Sequence, residues 1–324
     1  MELYLNTYGT YLHKRGSMFE VKIGDEKKSI SAARVSSIVI SNAAQITTDA
    51  IQLALEYNID ILFLDQYGDP YGRIWFPRMG SSTFIRRRLL EIYANDAGLG
   101  YVKQWVGQKL ENQAEFLEEL LDKRPGVKDS LSGEIAKIGL LHNQLQDVSG
   151  SLNANMGRIM GLEGNSARIY FSLISLLLPD KYRYRGRSSR PAKDVFNACL
   201  NYGYGILYGK VERALVIAGL DPYIGLLHTD NYNKKSLVYD FIEPYRILVE
   251  KPVFYLFSRR KINEAHYDEI NQGVTLNDEG KKILVPQLME YFDKIERYGN
   301  KNMKIISRIQ ADAHKFANQL IGKK

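Results

Sequence analysis

Three short segments carry the residue types that hold metals and move protons. In the first, Gly161-Leu162-Glu163-Gly164, a carboxylate stands between two glycines at the opening of an apolar helical run. In the second, Asp221-Pro222-Tyr223-Ile224-Gly225-Leu226-Leu227-His228, an imidazole ends an apolar stretch and precedes a polar loop, 229–235. The third, Leu237 to Arg246, holds Asp240 and Glu243 three positions apart, which puts them on one face of a helix. Two carboxylates and one imidazole can bind a hard or borderline cation and leave positions for water and substrate. Carboxylates suit Mg²⁺ or Mn²⁺, and a histidine tilts the choice toward Mn²⁺.

Each segment also has a plainer reading. An acid near a helix N-terminus complements the helix dipole. A lone histidine is commonly a satisfied residue of the core or rim. Asp-x-x-Glu resembles a capping box, and Pro244 is tolerated in a first helical turn. Spacing alone leaves these alternatives open, because only the fold can join segments so far apart.

Between the first two segments lies Lys181-Tyr182-Arg183-Tyr184-Arg185-Gly186-Arg187-Ser188-Ser189-Arg190-Pro191, with five basic residues and no acid. Such a run fits either a phosphate-holding loop, with Arg183, Arg185, Arg187 and Arg190 on a DNA backbone, or a solvated surface. The following helix carries Asn197, Asn201, Tyr204 and Tyr208 at helical spacing beside Gly203, Gly205 and Gly209. That polar stripe either faces DNA or packs tightly against a neighbour.

The elements that must position these residues fall into two halves. Residues 1–78 read as short strands punctuated by turn residues, at 3–5, 10–12, 18–23, 35–40 and 59–64, with one helix at 48–57. This pattern favours a small antiparallel β-sandwich-like domain. From residue 83 to 324 the period is helical, with helices expected near 102–120, 131–145, 159–178, 192–218, 282–298 and 302–321. The fold class is therefore α+β, a β-rich first domain and an all-helical second one, with the boundary near 77–83.

Composition narrows the setting. Of 324 residues, 45% are hydrophobic and 25% charged, which describes a folded protein rather than a disordered one. A net charge of +7 suits a polyanionic partner without requiring one. The single cysteine, Cys199, permits no intrachain disulfide and no cysteine zinc site. No signal-peptide run and no stretch near the ~20 apolar residues of a membrane span are evident, so a cytoplasmic location is expected.

Taken in order, Gly161-Leu162-Glu163-Gly164, Arg190-Pro191-Ala192-Lys193-Asp194, Asn201-Tyr202-Gly203-Tyr204, His228 and Leu237-Val238-Tyr239-Asp240-Phe241-Ile242-Glu243 resemble the CRISPR-associated "Cas one" integrase family. The resemblance spans nearly the whole chain. It implies a β-rich dimerisation domain, 1–78, and a helical metal- and DNA-binding catalytic domain, 83–324. It implies Glu163, His228 and Glu243 as catalytic metal ligands for Mg²⁺ or Mn²⁺, with Asp240 supporting. It implies a homodimer that joins a small "Cas two" partner in a hetero-hexamer and inserts short DNA duplexes into a CRISPR repeat array. A transposon-encoded relative of the same integrase, a plain nuclease and a non-catalytic DNA-binding scaffold are the competing expectations.

Overall fold

Short β-rich runs with alternating burial build the first part of the chain. The structure is a computed structural model that describes residues 1–35, 37–57, 59–65, 70–74, 83–228 and 234–322. The first part comprises β1 (Glu2–Leu5), β2 (Thr10–Arg15), β3 (Met18–Ile23), β4 (Glu26–Ser31), β5 (Ser37–Ile40), β6 (Ala44–Ile46), α1 (Thr48–Glu56), β7 (Asp60–Leu64) and β8 (Pro70–Ile74). They form two four-stranded sheets, ordered β1-β5-β7-β8 and β4-β3-β2-β6. The two sheets and α1 share one core, to which Leu5, Leu12, Phe19, Ile38, Leu53 and Ile61 contribute.

The sandwich-like layering matches the sequence reading, but the pairing is mixed rather than antiparallel. β1–β5, β5–β7 and β2–β6 are parallel. Parallel neighbours need crossovers, and the chain supplies them by routing β2 to β4 between β1 and β5, and α1 between β6 and β7. The expected boundary at 77–83 falls mostly on residues 75–82, outside the described residues.

The first sheet is buried on both sides. Ile38, Ile40 and Ile61 face the β core, while the alternate positions Val39, Leu62 and Leu64 join the core of the helical part. Such two-sided burial explains why β5 and β7 read as continuous apolar runs.

The second part contains α2 (Thr83–Ala94), α3 (Ala97–Asp122), α4 (Pro125–Gln146), α5 (Leu152–Leu177), α6 (Val195–Ile217), α7 (Ser236–Phe241), α8 (Ile247–Ser258), α9 (Asp278–Phe292) and α10 (Ser307–Leu320). Two hairpins interrupt it, β9 (Tyr267–Ile270) with β10 (Gly273–Leu276), and β11 (Ile295–Tyr298) with β12 (Lys301–Lys304). The helix expected over 282–298 therefore stops at Phe292, and the one over 302–321 begins at Ser307.

Helix α6 joins the halves. A Cβ on Gly209 would clash with Leu62 Cδ2, and one on Gly203 would lie 2.5 Å from Val249 Cγ1 on α8. The glycines let α6 approach both the first sheet and α8, so tight packing is their role. Lys210 pairs with Glu2, and Asn42 Nδ2 donates to Asp278 Oδ2 at 3.0 Å, tying the parts further. Among the described residues no helix is long and apolar enough to cross a membrane.

Candidate active site

Helix α5 places Glu163. Ser151 caps it, accepting from Ala154 N, and the apolar series Leu152, Ile159, Leu162, Tyr170 and Ile174 buries one face. Glu163 thus lies in mid-helix, well past the first turn, so no dipole accounts for it. Added Cβ atoms on Gly161 and Gly164 would meet nothing, which leaves open space beside this acid.

Glu243 is placed by a tight turn after α7. Pro244 bends the chain into a single 3₁₀ turn, and its carbonyl accepts from Asn112 Nδ2 of α3 at 2.7 Å. Lys109, one helical turn before Asn112 on α3, reaches between the acids. Its Nζ stands 2.5 Å from Glu163 Oε1 and 2.6 Å from Glu243 Oε2. Arg246 holds the other oxygen of Glu243, Oε1, with Nε at 2.8 Å and Nη2 at 2.7 Å.

Burial works against the Glu243 carboxylate, but Arg246 and Lys109 outweigh it and hold the group well below its ordinary pKa. Burial likewise opposes the charge on Lys109, and Glu243 and Glu163 outweigh it, so the ammonium is held above its ordinary value. Glu243 therefore keeps its charge through paired contacts rather than through solvent.

Asp240 organises the histidine. It is buried at the end of α7 and heads no helix, so the capping reading does not apply. Its Oδ2 accepts from Leu226 N at 2.5 Å and Leu227 N at 3.1 Å. Its Oδ1 accepts from His228 N at 3.0 Å and from His228 Nδ1 at 2.6 Å. With Nδ1 donating to a carboxylate, the lone pair of the ring is on Nε2, the tautomer that a metal ligand or proton acceptor needs.

The structure brings Glu163 and Glu243 together; His228 is linked to them less directly. Its ring lies 5.9 Å from that of Tyr239, which lies 4.9 Å from Tyr208, whose hydroxyl accepts from Arg246 Nη2 at 3.4 Å. Among the described residues, no three acid, histidine or cysteine side chains form one metal-binding group. The donor set still fits a divalent cation at the acid pair. Two carboxylate oxygens converge on one cationic atom, and buried Glu243 Oε2 makes an ion pair there without a well-formed hydrogen bond.

The basic segment alternates. Lys181, Arg183, Arg185, Arg187 and Arg190 are exposed, while Tyr182 and Tyr184 turn inward. Tyr184 stacks on Phe196 at 4.8 Å, and the Tyr182 hydroxyl donates to Ile262 O at 2.5 Å. These rings belong to the core rim and are not free for base stacking. Arg183 pairs with Asp180 at 2.8 Å. Arg187 is anchored on the stripe of α6, donating to Asn197 Oδ1 at 2.6 Å and Asn201 Oδ1 at 2.7 Å. Tyr204 of the same stripe lies between Arg187 and Arg246, whose guanidinium carbons are 5.3 and 4.9 Å from its ring centre.

Two residues of the candidate site escape the sequence reading. Lys109 stands on the buried stripe of α3 with Trp105, Val106, Gln113 and Phe116, and a lysine on a core-facing stripe is the signal that would have found it. Arg246 lies one turn beyond Glu243 in a segment read only for its acids. Cys199 is buried, and burial raises its thiol, so it offers no nucleophile.

A β-rich layer docked on a helical part, with two glutamates sharing one lysine between the helices, places the protein in the α+β class. Residues 3–290 match the family model described as CRISPR associated protein Cas1. The CRISPR-associated endonuclease Cas1 1 of Archaeoglobus fulgidus is 32% identical, covering 100% of this chain and 97% of its own. A solved Cas1 protein from Thermotoga maritima superposes with a TM-score of 0.83 at 26% identity, covering 100% and 98% of the two chains. A casposase bound to integration product shares the fold, with a TM-score of 0.86 at 22% identity over 100% and 91%. The chain belongs to the Cas1 family.

Proposed function

We propose that this chain is the integrase of CRISPR adaptation, inserting short DNA duplexes into a repeat array by metal-dependent transesterification in the cytoplasm. Family membership supports the activity, and the observation that carries the mechanism is the convergence of Glu163 and Glu243 on one cation-holding point. Glu163, Glu243 and His228 would hold Mg²⁺ or Mn²⁺, which supplies Lewis-acid polarisation of the phosphodiester and activation of the attacking hydroxyl.

The remaining chemistry falls to the chain itself. A DNA 3′-oxygen forms a bond to phosphorus as the bond to the leaving 3′-oxygen breaks, so phosphodiesters are conserved and no protein nucleophile is required. Asp240 holds His228 in the Nε2-lone-pair form. Arg246 keeps Glu243 charged and oriented. The exposed Arg183, Arg185 and Arg190 offer positive charge to the DNA backbone, and Arg187 fixes the path of their loop.

The β-rich part, residues 1–78, is the dimerisation domain and residues 83–324 the catalytic one in this reading. A homodimer spaces two active sites for two DNA ends, and the small Cas2 protein bridges two such dimers. The test is strand transfer of a labelled short duplex into a repeat-bearing plasmid by the purified chain and its Cas2 partner. Joined product that requires Mg²⁺ or Mn²⁺ and disappears with EDTA is expected. No joined product under any metal condition sinks the reading, and insertion that ignores the repeat favours the transposon-type relative.

The loop gives a separate prediction. Replacing Arg183 and Arg185 by Ala should weaken DNA binding at low salt and flatten its salt dependence by about 0.9 for each phosphate no longer neutralised. The effect should be equal on unrelated sequences, because phosphates carry no base identity. Filter binding across a KCl series measures it, and an unchanged slope returns these arginines to a solvated surface.

A further inference from the structure

The carboxylate pair already has a cation. Lys109 Nζ sits within 2.6 Å of an oxygen from each glutamate, and its side chain is only 8% exposed. Mg²⁺ binds oxygens at about 2.1 Å, so an ion held by both carboxylates must take the space of that ammonium. We propose that Lys109 and the divalent cation are alternative occupants of the Glu163–Glu243 pair, and that metal loading expels the ammonium into the adjoining cleft. This rests on the metal-dependent reading above and adds an exchange to it.

The cleft is present. A cavity of about 320 Å³ is lined by Lys109 itself with Arg187, Ser189, Tyr204, Arg246 and one acid, Glu250. Lysine suits the move, because its ammonium is a strongly hydrated point charge on a flexible four-carbon stem. An arginine so placed would be held by its planar fork.

Charge gives the exchange a consequence. With Lys109 between the acids, it and Arg246 balance the two carboxylates. When a divalent ion balances them instead, both side chains add positive charge to a cleft where Arg187 already stands and Glu250 is the one further acid of the lining, so cations outnumber it three to one. A phosphodiester would then meet more positive charge than before. Metal and DNA therefore reinforce each other's binding, and by linkage the reinforcement is mutual. Lys109 acts as a positioning and exchange residue; bond making is left to the groups around it.

The test is Mn²⁺ binding without DNA, read from the electron paramagnetic resonance signal of the free ion, for the parent protein, Lys109→Met and Glu243→Gln. Lys109→Met, freed of the competing ammonium, should bind Mn²⁺ roughly tenfold more tightly, within the usual range of coupling between two ligands. Its melting temperature should fall without Mn²⁺ and recover with it. Glu243→Gln should lose binding. A folded Lys109→Met with equal or weaker affinity overturns the exchange while parent binding leaves the metal reading standing; no Mn²⁺ binding by any of the three overturns both. Should Lys109→Met fail to fold, acetylation of the parent protein followed by mass spectrometry decides the matter. Labelling of Lys109 should rise with Mg²⁺ while the exposed Lys123 on the same stretch stays constant, and labelling of Lys109 indifferent to Mg²⁺ overturns the proposal.

Discussion

Glu163→Ala and Glu243→Ala should both abolish strand transfer, yet only the second should strongly destabilise the protein. Disturbing merely the supporting partner of a metal ligand costs about 10–100-fold, so removing a ligand from the pair should cost at least ~100-fold. The stability effects diverge because burial and pairing differ. Glu243 is 2% exposed at its side chain and is shared by two cations, Lys109 and Arg246. Removing it strands Arg246 and halves the pairing of Lys109, and breaking a buried ion pair from one side costs about 3–5 kcal/mol. Glu163 is 17% exposed, and its loss leaves Lys109 still paired with Glu243, so a smaller change is expected. Urea midpoints measured beside strand transfer separate the two effects. A folded variant of either residue with parental activity removes that residue from the site.

Where the sequence could be read, periodicity and punctuation carried the reading. β3 runs from Met18 to Ile23 as expected, and α1 and α5 end within a residue or two of their expected stops, at Glu56 and Leu177. The misses have local causes. β4, Glu26–Ser31, opens with Glu-Lys-Lys and is an edge strand, where charge is tolerated and alternation is weak. α8 is apolar nearly all round and contains Pro252, so it shows neither an amphipathic stripe nor an uninterrupted helical signal. The β11–β12 hairpin turns on Gly299 at φ +57° followed by Asn300, a two-residue glycine-first turn set between expected helices.

The candidate site was legible in its residue types and illegible in its wiring. Glu163, His228, Asp240 and Glu243 stand out because acids and an imidazole interrupt apolar runs. Lys109 is separated from all of them in sequence and is brought in only by the packing of α3 against α5 and the turn at Glu243. The tyrosines of the basic segment mislead in the opposite sense. Their composition fits a nucleic-acid surface, and their rings pack into the protein.

As an acid proposed only to support the metal ligands, Asp240 would be expected to tolerate alanine better than His228 does, and the geometry reverses that order for stability. Asp240 is fully enclosed and accepts four hydrogen bonds, three from consecutive backbone N–H groups and one from the His228 ring. A carboxylate facing three backbone donors is an anion in a nest, and it fixes the course of residues 226–228. Alanine there leaves those N–H groups without their acceptor, each costing about 1–3 kcal/mol unless water reaches it. His228 also loses the partner that sets its tautomer, which should lower activity by about 10–100-fold even in protein that remains folded. His228→Ala, by contrast, removes a partly exposed ring and leaves Asp240 with its backbone donors. The expected order of melting temperatures is therefore parent, then His228→Ala, then Asp240→Ala. Asp240→Asn should fall between the last two, since its amide keeps the shape and one acceptor oxygen but turns a donor toward backbone N–H groups. Thermal melts paired with strand transfer on the folded fraction check the ranking, and an Asp240→Ala protein that melts with the parent would show that residues 226–228 hold their course without this carboxylate.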